Sequence, residues 1–293
     1  MFDGSLVALV TPMTRDGSID YGSLERLIEF HIEQGTDGFV IAGTTGESAT
    51  LTKGEHIALI GEAVRIVDRR KPVIAGTGSN STAQTADLSR AVQKFPIDAL
   101  LLVTPYYNKP TQEGLFQHFT TVSEAVDVPV ILYNVPGRTA CDLLAETVER
   151  LAENPRIVGI KEATGDLSRG ADILRRCGKD FCIYSGDDAT ALDLMLGGAH
   201  GVVSVTANVA PRAMREMCEA VRFGDPQKAA ELNAKLVSLH EALFVEANPI
   251  PVKWAVAAMG LIPDGIRLPL TWLSKDRREA VAQAMSEAEI PID

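Results

Sequence analysis

Ile157-Val158-Gly159-Ile160-Lys161 is an apolar run that ends on a lysine. A Val/Ile-rich run of this length, bounded by polar residues, reads as a strand buried on both faces, the pattern of a parallel sheet. A lysine at the end of such a strand has two readings. It can snorkel to water and do nothing else. Alternatively its ammonium can be partly desolvated, which favours the neutral amine, a nucleophile toward carbonyl carbon. The run alone favours the first reading, and its neighbours favour the second.

Three other apolar runs end in the same manner. Phe39-Val40-Ile41-Ala42 leads into Gly43-Thr44-Thr45-Gly46-Glu47. Ala99 to Val103 leads into Thr104-Pro105-Tyr106-Tyr107-Asn108, and Val128 to Leu132 leads into Tyr133-Asn134-Val135-Pro136-Gly137-Arg138-Thr139. Hydroxyls, phenols, a guanidinium and an amine therefore collect at one end of successive strands. In an eight-stranded βα barrel that end carries the active site.

Strand-like runs fall near 5–10, 38–42, 72–76, 98–103, 129–133, 157–161, 181–185 and 200–204. Between and after them lie amphipathic stretches at 21–34, 53–67, 82–94, 111–125, 143–152, 167–177, 189–196 and 212–222. In the first of these, Leu24, Leu27, Ile28 and His31 recur at helical spacing. Eight strand–helix units in alternation predict a parallel α/β sheet closed as a (β/α)8 TIM barrel. The rival is a doubly wound open sheet, but no dinucleotide fingerprint follows the first strand. Gly224-Asp225-Pro226 punctuates the eighth helix, and only helix-like segments follow, at 227–247, 251–259 and 273–286. The predicted organisation is a barrel over 1–224 and a C-terminal helical appendage over 225–293.

Composition narrows the functional classes. The 293 residues carry a net charge of −11, the wrong sign for a nucleic-acid partner. The 46% hydrophobic content is that of a globular protein, and the short apolar run near the N-terminus predicts neither a signal peptide nor a membrane span. The four cysteines, Cys141, Cys177, Cys182 and Cys218, form no C-x-x-C pair and predict reduced thiols in the cytoplasm. The five histidines form no metal-binding spacing, so no metal is predicted.

Several motifs have a plain reading as well. Gly43-Thr44-Thr45-Gly46-Glu47 reads either as a tight turn or as a turn that aims N–H groups and hydroxyls at a carboxylate. In the plain version glycine supplies an unusual backbone angle, threonine the N-cap and glutamate the first turn of a helix. Gly76-Thr77-Gly78-Ser79-Asn80-Ser81-Thr82 lacks the Gly-Lys-Ser/Thr ending of a phosphate loop and predicts a turn with an N-cap. Tyr106 and Tyr107 are adjacent, so at most one should point into a common site. Arg138 alone reads as a solvated turn residue.

Taken together, the Gly43–Glu47 turn, Tyr133-Asn134-Val135-Pro136-Gly137-Arg138-Thr139 and Gly159-Ile160-Lys161-Glu162-Ala163-Thr164 resemble the signatures of the dihydrodipicolinate synthase family, within the pyruvate-dependent, Schiff-base-forming aldolases. The resemblance extends through Val103 to Thr111, Tyr184-Ser185-Gly186-Asp187-Asp188 and Asn248 to Trp254, essentially the whole chain. It implies that Lys161 forms an imine with pyruvate, that Tyr133 is the general acid and base, and that Thr44 and Tyr107 complete its relay. Tyr107 would reach in from a neighbouring subunit of a homo-oligomer, a dimer or a dimer of dimers. Thr45 and the backbone at Val203 would hold the pyruvate carboxylate, Gly186 would line the site, and Arg138 would clamp the carboxylate of aspartate semialdehyde. No cofactor is implied.

Family members that respond to lysine bind it at a subunit interface. Ser48, Ala49, Leu51, His56, Asn80 and Tyr106 match that site, whereas Lys53 and Gln84 stand where responsive members carry histidine and glutamate. The resemblance therefore implies weak or absent inhibition by lysine. Two other readings fit the lysine and tyrosine. One is a lyase of N-acetylneuraminate or 2-keto-3-deoxy sugar acids, against which Arg138 counts. The other is a barrel that binds a ligand without turnover.

Overall fold

The structure is a computed structural model that describes residues 2–292. The strands are β1 (Gly4–Ala8), β2 (Gly38–Ile41), β3 (Val73–Gly76), β4 (Ala99–Val103), β5 (Val130–Asn134), β6 (Ile157–Glu162), β7 (Cys182–Ser185) and β8 (Gly201–Ser204). They pair in sequence order, all parallel, and β8 closes on β1 through Gly4↔Gly201 and Leu6↔Val203. The predicted (β/α)8 barrel is the observed fold.

Helices α1 (Tyr21–Glu33), α2 (Lys53–Val67), α3 (Thr82–Val92) and α4 (Gln112–Glu124) follow the first four strands. After β5 come a single turn, α5 (Pro136–Thr139), and then α6 (Ala145–Ala152). The remaining barrel helices are α7 (Leu167–Cys177), α8 (Ala191–Leu196) and α9 (Pro211–Arg222). Many starts are written locally. Asp20, Thr52, Ser81, Thr111 and Asp166 each accept a backbone N–H with the side chain, and Thr52 forms a capping box with Glu55. Ser81 makes the predicted plain turn and N-cap after β3.

Strand alternation sorts the apolar residues into two cores. Leu6, Ala8, Val40, Ile74, Leu101, Ile131, Tyr133, Tyr184 and Val203 fill the barrel interior. Val7, Ile41, Leu100, Leu132, Ile160 and Val202 face outward and pack on the helices. Ile160 points out, so Lys161 points in, at the C-terminal mouth of the barrel.

The chain continues as α10 (Pro226–Ala234), α11 (Val237–Ala242), α12 (Ile250–Ala258) and α13 (Lys275–Glu287). The helix predicted over 227–247 is thus two helices broken at Lys235 and Leu236. Leu236 is buried at the break, and His240 is fixed by Thr206 Oγ1 at 2.8 Å, so tertiary contacts override the continuous local pattern. Leu239, Val252, Val256, Val281 and Met285 of this region share one apolar core with the barrel helices.

Candidate active site

The site is built from the ends of strands. Tyr133 on β5 and Lys161 on β6 are register partners, and Lys161 pairs in turn with Tyr184 on β7. The Lys161 side chain is buried, with Nζ 4.4 Å from the centroid of the Tyr133 ring. That contact places the amine over a π face, away from bulk solvent. Gly186 follows β7 and supplies the space: a Cβ there would lie 2.6 Å from Ala163 Cβ, 2.8 Å from Lys161 Cε and 3.0 Å from Cγ. A side chain at Gly186 would push against both Ala163 and the lysine.

The strand ends are clamped from outside. Asn134 Nδ2 donates to Glu162 Oε2 (3.1 Å) and to Asp142 Oδ1 (2.9 Å), and Arg169 grips both oxygens of Asp142 at 2.9 Å. Thr164 N–H donates to Glu162 Oε1 at 2.8 Å. Burial pushes the Glu162 carboxyl above the ordinary carboxylate range against these donors. The clamp fixes the residues adjacent to Tyr133 and Lys161, and so fixes their relative height.

The Gly43–Glu47 turn differs from its predicted form. The left-handed residues are Ala42 (φ 55°) and Glu47 (φ 58°), not the glycines. Gly46 is required for close packing, since a Cβ there would meet Ala42 Cα, Ala42 N and Leu9 O at 3.2 Å. Neither threonine caps a helix. Glu47 turns into the core, where its Oε1 pairs with Lys253 of α12 and its Oε2 accepts the Arg267 N–H at 3.1 Å. Both side chains of the Glu47–Lys253 pair are fully buried. Burial lowers the Lys253 pKa, and the Glu47 carboxylate opposes that shift. Thr45 is buried and accepts from Asn248 Nδ2 at 3.0 Å.

Arg138 lies on the one-turn helix α5 rather than in a free turn. Its Nη2 donates to the backbone carbonyl of Asn248 at 3.1 Å. Thr44, Arg138, Tyr106, Val135 and Thr139 line a cavity of ≈ 380 Å³, large enough for small substrates. Ser48, Ala49, Leu51 and His56 line the same cavity, while Lys53, Asn80 and Gln84 do not. His56 is held by Gly76 O at 2.7 Å, and burial lowers its pKa. Lys53 pairs with Asp87 across two helices, which offsets its charge.

Tyr107 is not brought to Lys161 within the subunit. It is 87% exposed and sits at φ 76°, a backbone region that non-glycine residues rarely adopt. Its N–H is tied to Thr139 O at 3.3 Å. Among the described residues no hydrogen bond joins Tyr107, Thr44 and Tyr133. Asn248, Lys253 and Glu162 lie within the family motifs without a predicted role. The signal for them was a polar residue inside an apolar stretch, as at Lys253 between Val252 and Trp254. Among the described residues no group of three or more His, Cys, Asp or Glu could hold a metal ion, and all four cysteines are free.

A buried lysine at the C-terminal mouth of a parallel eight-stranded barrel, against a tyrosine ring, defines a Schiff-base-forming aldolase. The model of the dihydrodipicolinate synthetase family matches residues 1–288. The 4-hydroxy-tetrahydrodipicolinate synthase of Pseudomonas aeruginosa is 58% identical over 290 residues, 99% of each chain. That of Thiobacillus denitrificans is 60% identical over 287 residues, 98% of this chain and 97% of its own. The crystal structure of the chloride-inhibited dihydrodipicolinate synthase from Acinetobacter baumannii complexed with pyruvate superposes with a TM-score of 0.98 at 54% identity, covering 99% of this chain and all of that one. The lysine-bound enzyme of Cyanidioschyzon merolae superposes with a TM-score of 0.96 at 42% identity, covering 99% of each chain. The chain belongs to the dihydrodipicolinate synthase family.

Proposed function

We propose that this protein condenses pyruvate with L-aspartate 4-semialdehyde to give 4-hydroxy-tetrahydrodipicolinate, the first committed step of diaminopimelate and lysine biosynthesis. The observation that carries the reading is the buried Lys161 amine, 4.4 Å from the Tyr133 ring in the space left by Gly186. The neutral amine attacks the keto carbon of pyruvate, and water leaves as the imine forms. The protonated imine is an electron sink, so a methyl proton is lost and an enamine results. The enamine carbon attacks the aldehyde carbon, and the aldehyde oxygen takes a proton. The amine of the semialdehyde then attacks the imine carbon, closes the ring and releases Lys161.

The roles follow from placement and chemistry. Tyr133 carries the protons through a hydrogen-bonded relay supplied by Thr44 and a Tyr107. Thr45 and the backbone at Val203 hold the pyruvate carboxylate. Arg138, held by the Asn248 carbonyl, presents its remaining donors to the semialdehyde carboxylate. Tyr107 is exposed in the single subunit, which supports a homo-oligomer, at least a dimer, in which it reaches the relay of a neighbour. No helix among the described residues is long and apolar enough to cross a membrane, and a cytoplasmic location fits the four free cysteines.

Borohydride trapping with pyruvate tests the covalent step. Lys161→Arg should give no adduct, because guanidinium does not deprotonate in proteins. An adduct that persists at this position in the variant would overturn the assignment. Arg138→Ala should still trap pyruvate while losing turnover with aspartate semialdehyde. Equal damage to both steps would make the arginine a structural residue.

A further inference from the structure

Asn248 precedes α12, far in sequence from the barrel strands, yet it touches both halves of the site. Its Nδ2 donates to Thr45 Oγ1 at 3.0 Å, and its carbonyl accepts from Arg138 Nη2 at 3.1 Å. Asn248 is 5% exposed and Thr45 3%. Asn248 Oδ1 is closed to solvent and, among the described residues, has no hydrogen-bond partner. A buried amide with an unsatisfied oxygen is poor packing, and an apolar side chain of similar volume would avoid that loss. What such a side chain could not do is donate to Thr45.

A threonine hydroxyl has one proton and two lone pairs. Once Thr45 accepts from Asn248, its proton is left to give. Among the described residues no protein group accepts it. We propose that Asn248 is a positioning residue that turns the Thr45 hydroxyl so that its proton meets the carboxylate of pyruvate. This rests on the reading of Thr45 as a carboxylate ligand. Substituting the side chain leaves the backbone carbonyl, and with it the hold on Arg138, so the two tasks of Asn248 are separable.

The test compares Asn248→Ala, Asn248→Asp and Thr45→Val by borohydride trapping and by KM for each substrate, with melting curves as a folding control. Asn248→Ala should raise KM for pyruvate about tenfold, the loss of roughly one oriented hydrogen bond, and change KM for aspartate semialdehyde less than about twofold. Asn248→Asp nearly preserves volume but offers only acceptors when ionised. It should draw the Thr45 proton to itself, place a charge near the substrate carboxylate and do more harm than alanine, about a hundredfold. Lowering the pH should restore activity to Asn248→Asp alone, since the protonated carboxyl regains a donor. A packing role reverses this order: aspartate would be milder than alanine, without the acid rescue, and that result overturns the proposal. Damage in Thr45→Val with an unimpaired Asn248→Ala sinks the proposal alone. Intact pyruvate trapping in Thr45→Val would overturn both it and the reading of Thr45.

Discussion

Lys253→Met should destabilise the protein strongly without touching any residue that faces the cavity. Glu47 and Lys253 are both fully buried and pair directly, 206 positions apart in sequence. After the substitution the Glu47 carboxylate keeps, among the described residues, one hydrogen bond, from the Arg267 N–H at 3.1 Å. An uncompensated buried carboxylate costs about 3–5 kcal/mol. At about 2.1 cal/mol/K per residue, unfolding 293 residues carries an entropy of about 0.6 kcal/mol/K near 60 °C, so the melting temperature should fall by about 5–8 °C. The double variant Glu47→Gln with Lys253→Met removes both charges and should recover most of that loss, because a buried pair is close to neutral against an apolar replacement. Calorimetry or dye-based melting at matched protomer concentration measures all three proteins. Glu47 closes the turn that carries Thr44 and Thr45, so the single variant should also raise KM for pyruvate. A fall below about 2 °C, or a double variant no better than the single one, would refute the claim that Glu47 is held as a charged partner of Lys253.

Mixing Tyr107→Phe subunits with Thr44→Val subunits should restore part of the activity each lacks, because a hybrid can assemble one complete relay. A fully active monomer in sedimentation would rule this out. Lysine should inhibit weakly or not at all, since Gln84 offers no carboxylate to a ligand ammonium and Lys53 is taken up by Asp87; half-inhibition at sub-millimolar lysine in a coupled assay would contradict this. His31 is buried against Phe39, and burial lowers its pKa to about 3. The unfolded chain protonates it near pH 6.5 and the folded one does not, so stability is lost as pH falls below that value. The loss reaches about 2 kcal/mol by pH 5. Chemical denaturation of His31→Gln across pH 5–7 should show that much less acid dependence, and an unchanged acid limb would exclude His31 as its source.

The barrel was legible because its determinants are local. Each strand is a short apolar run, each helix has its 3.6-residue stripe, and Asp20, Thr52, Ser81, Thr111 and Asp166 mark helix starts. The positions of Lys161, Tyr133 and Arg138 at or just beyond the ends of such runs were legible for the same reason, whereas the roles proposed for them rest on the family resemblance. The long helix drawn over 227–247 failed where local pattern and tertiary contact disagree, at Leu236. The backbone of the Gly43–Glu47 turn also escaped, because Ala42 and Glu47 adopt left-handed angles that their residue types do not announce.

Local pattern in the chain was enough to show which segments are strands and helices, that they alternate, and which strand ends carry an amine, a phenol and a guanidinium. That Tyr133 and Lys161 stand side by side, that Gly186 clears room for the amine, and that Tyr107 lies exposed follow only from the closure of the barrel. It alone joined Asn248 to Thr45, 203 positions away, and Lys253 to Glu47. The difference is one of range. A hydrophobic period or a helix cap is set by neighbours a few residues apart, whereas a buried polar group finds its partner only after the barrel has closed and removed water as the alternative.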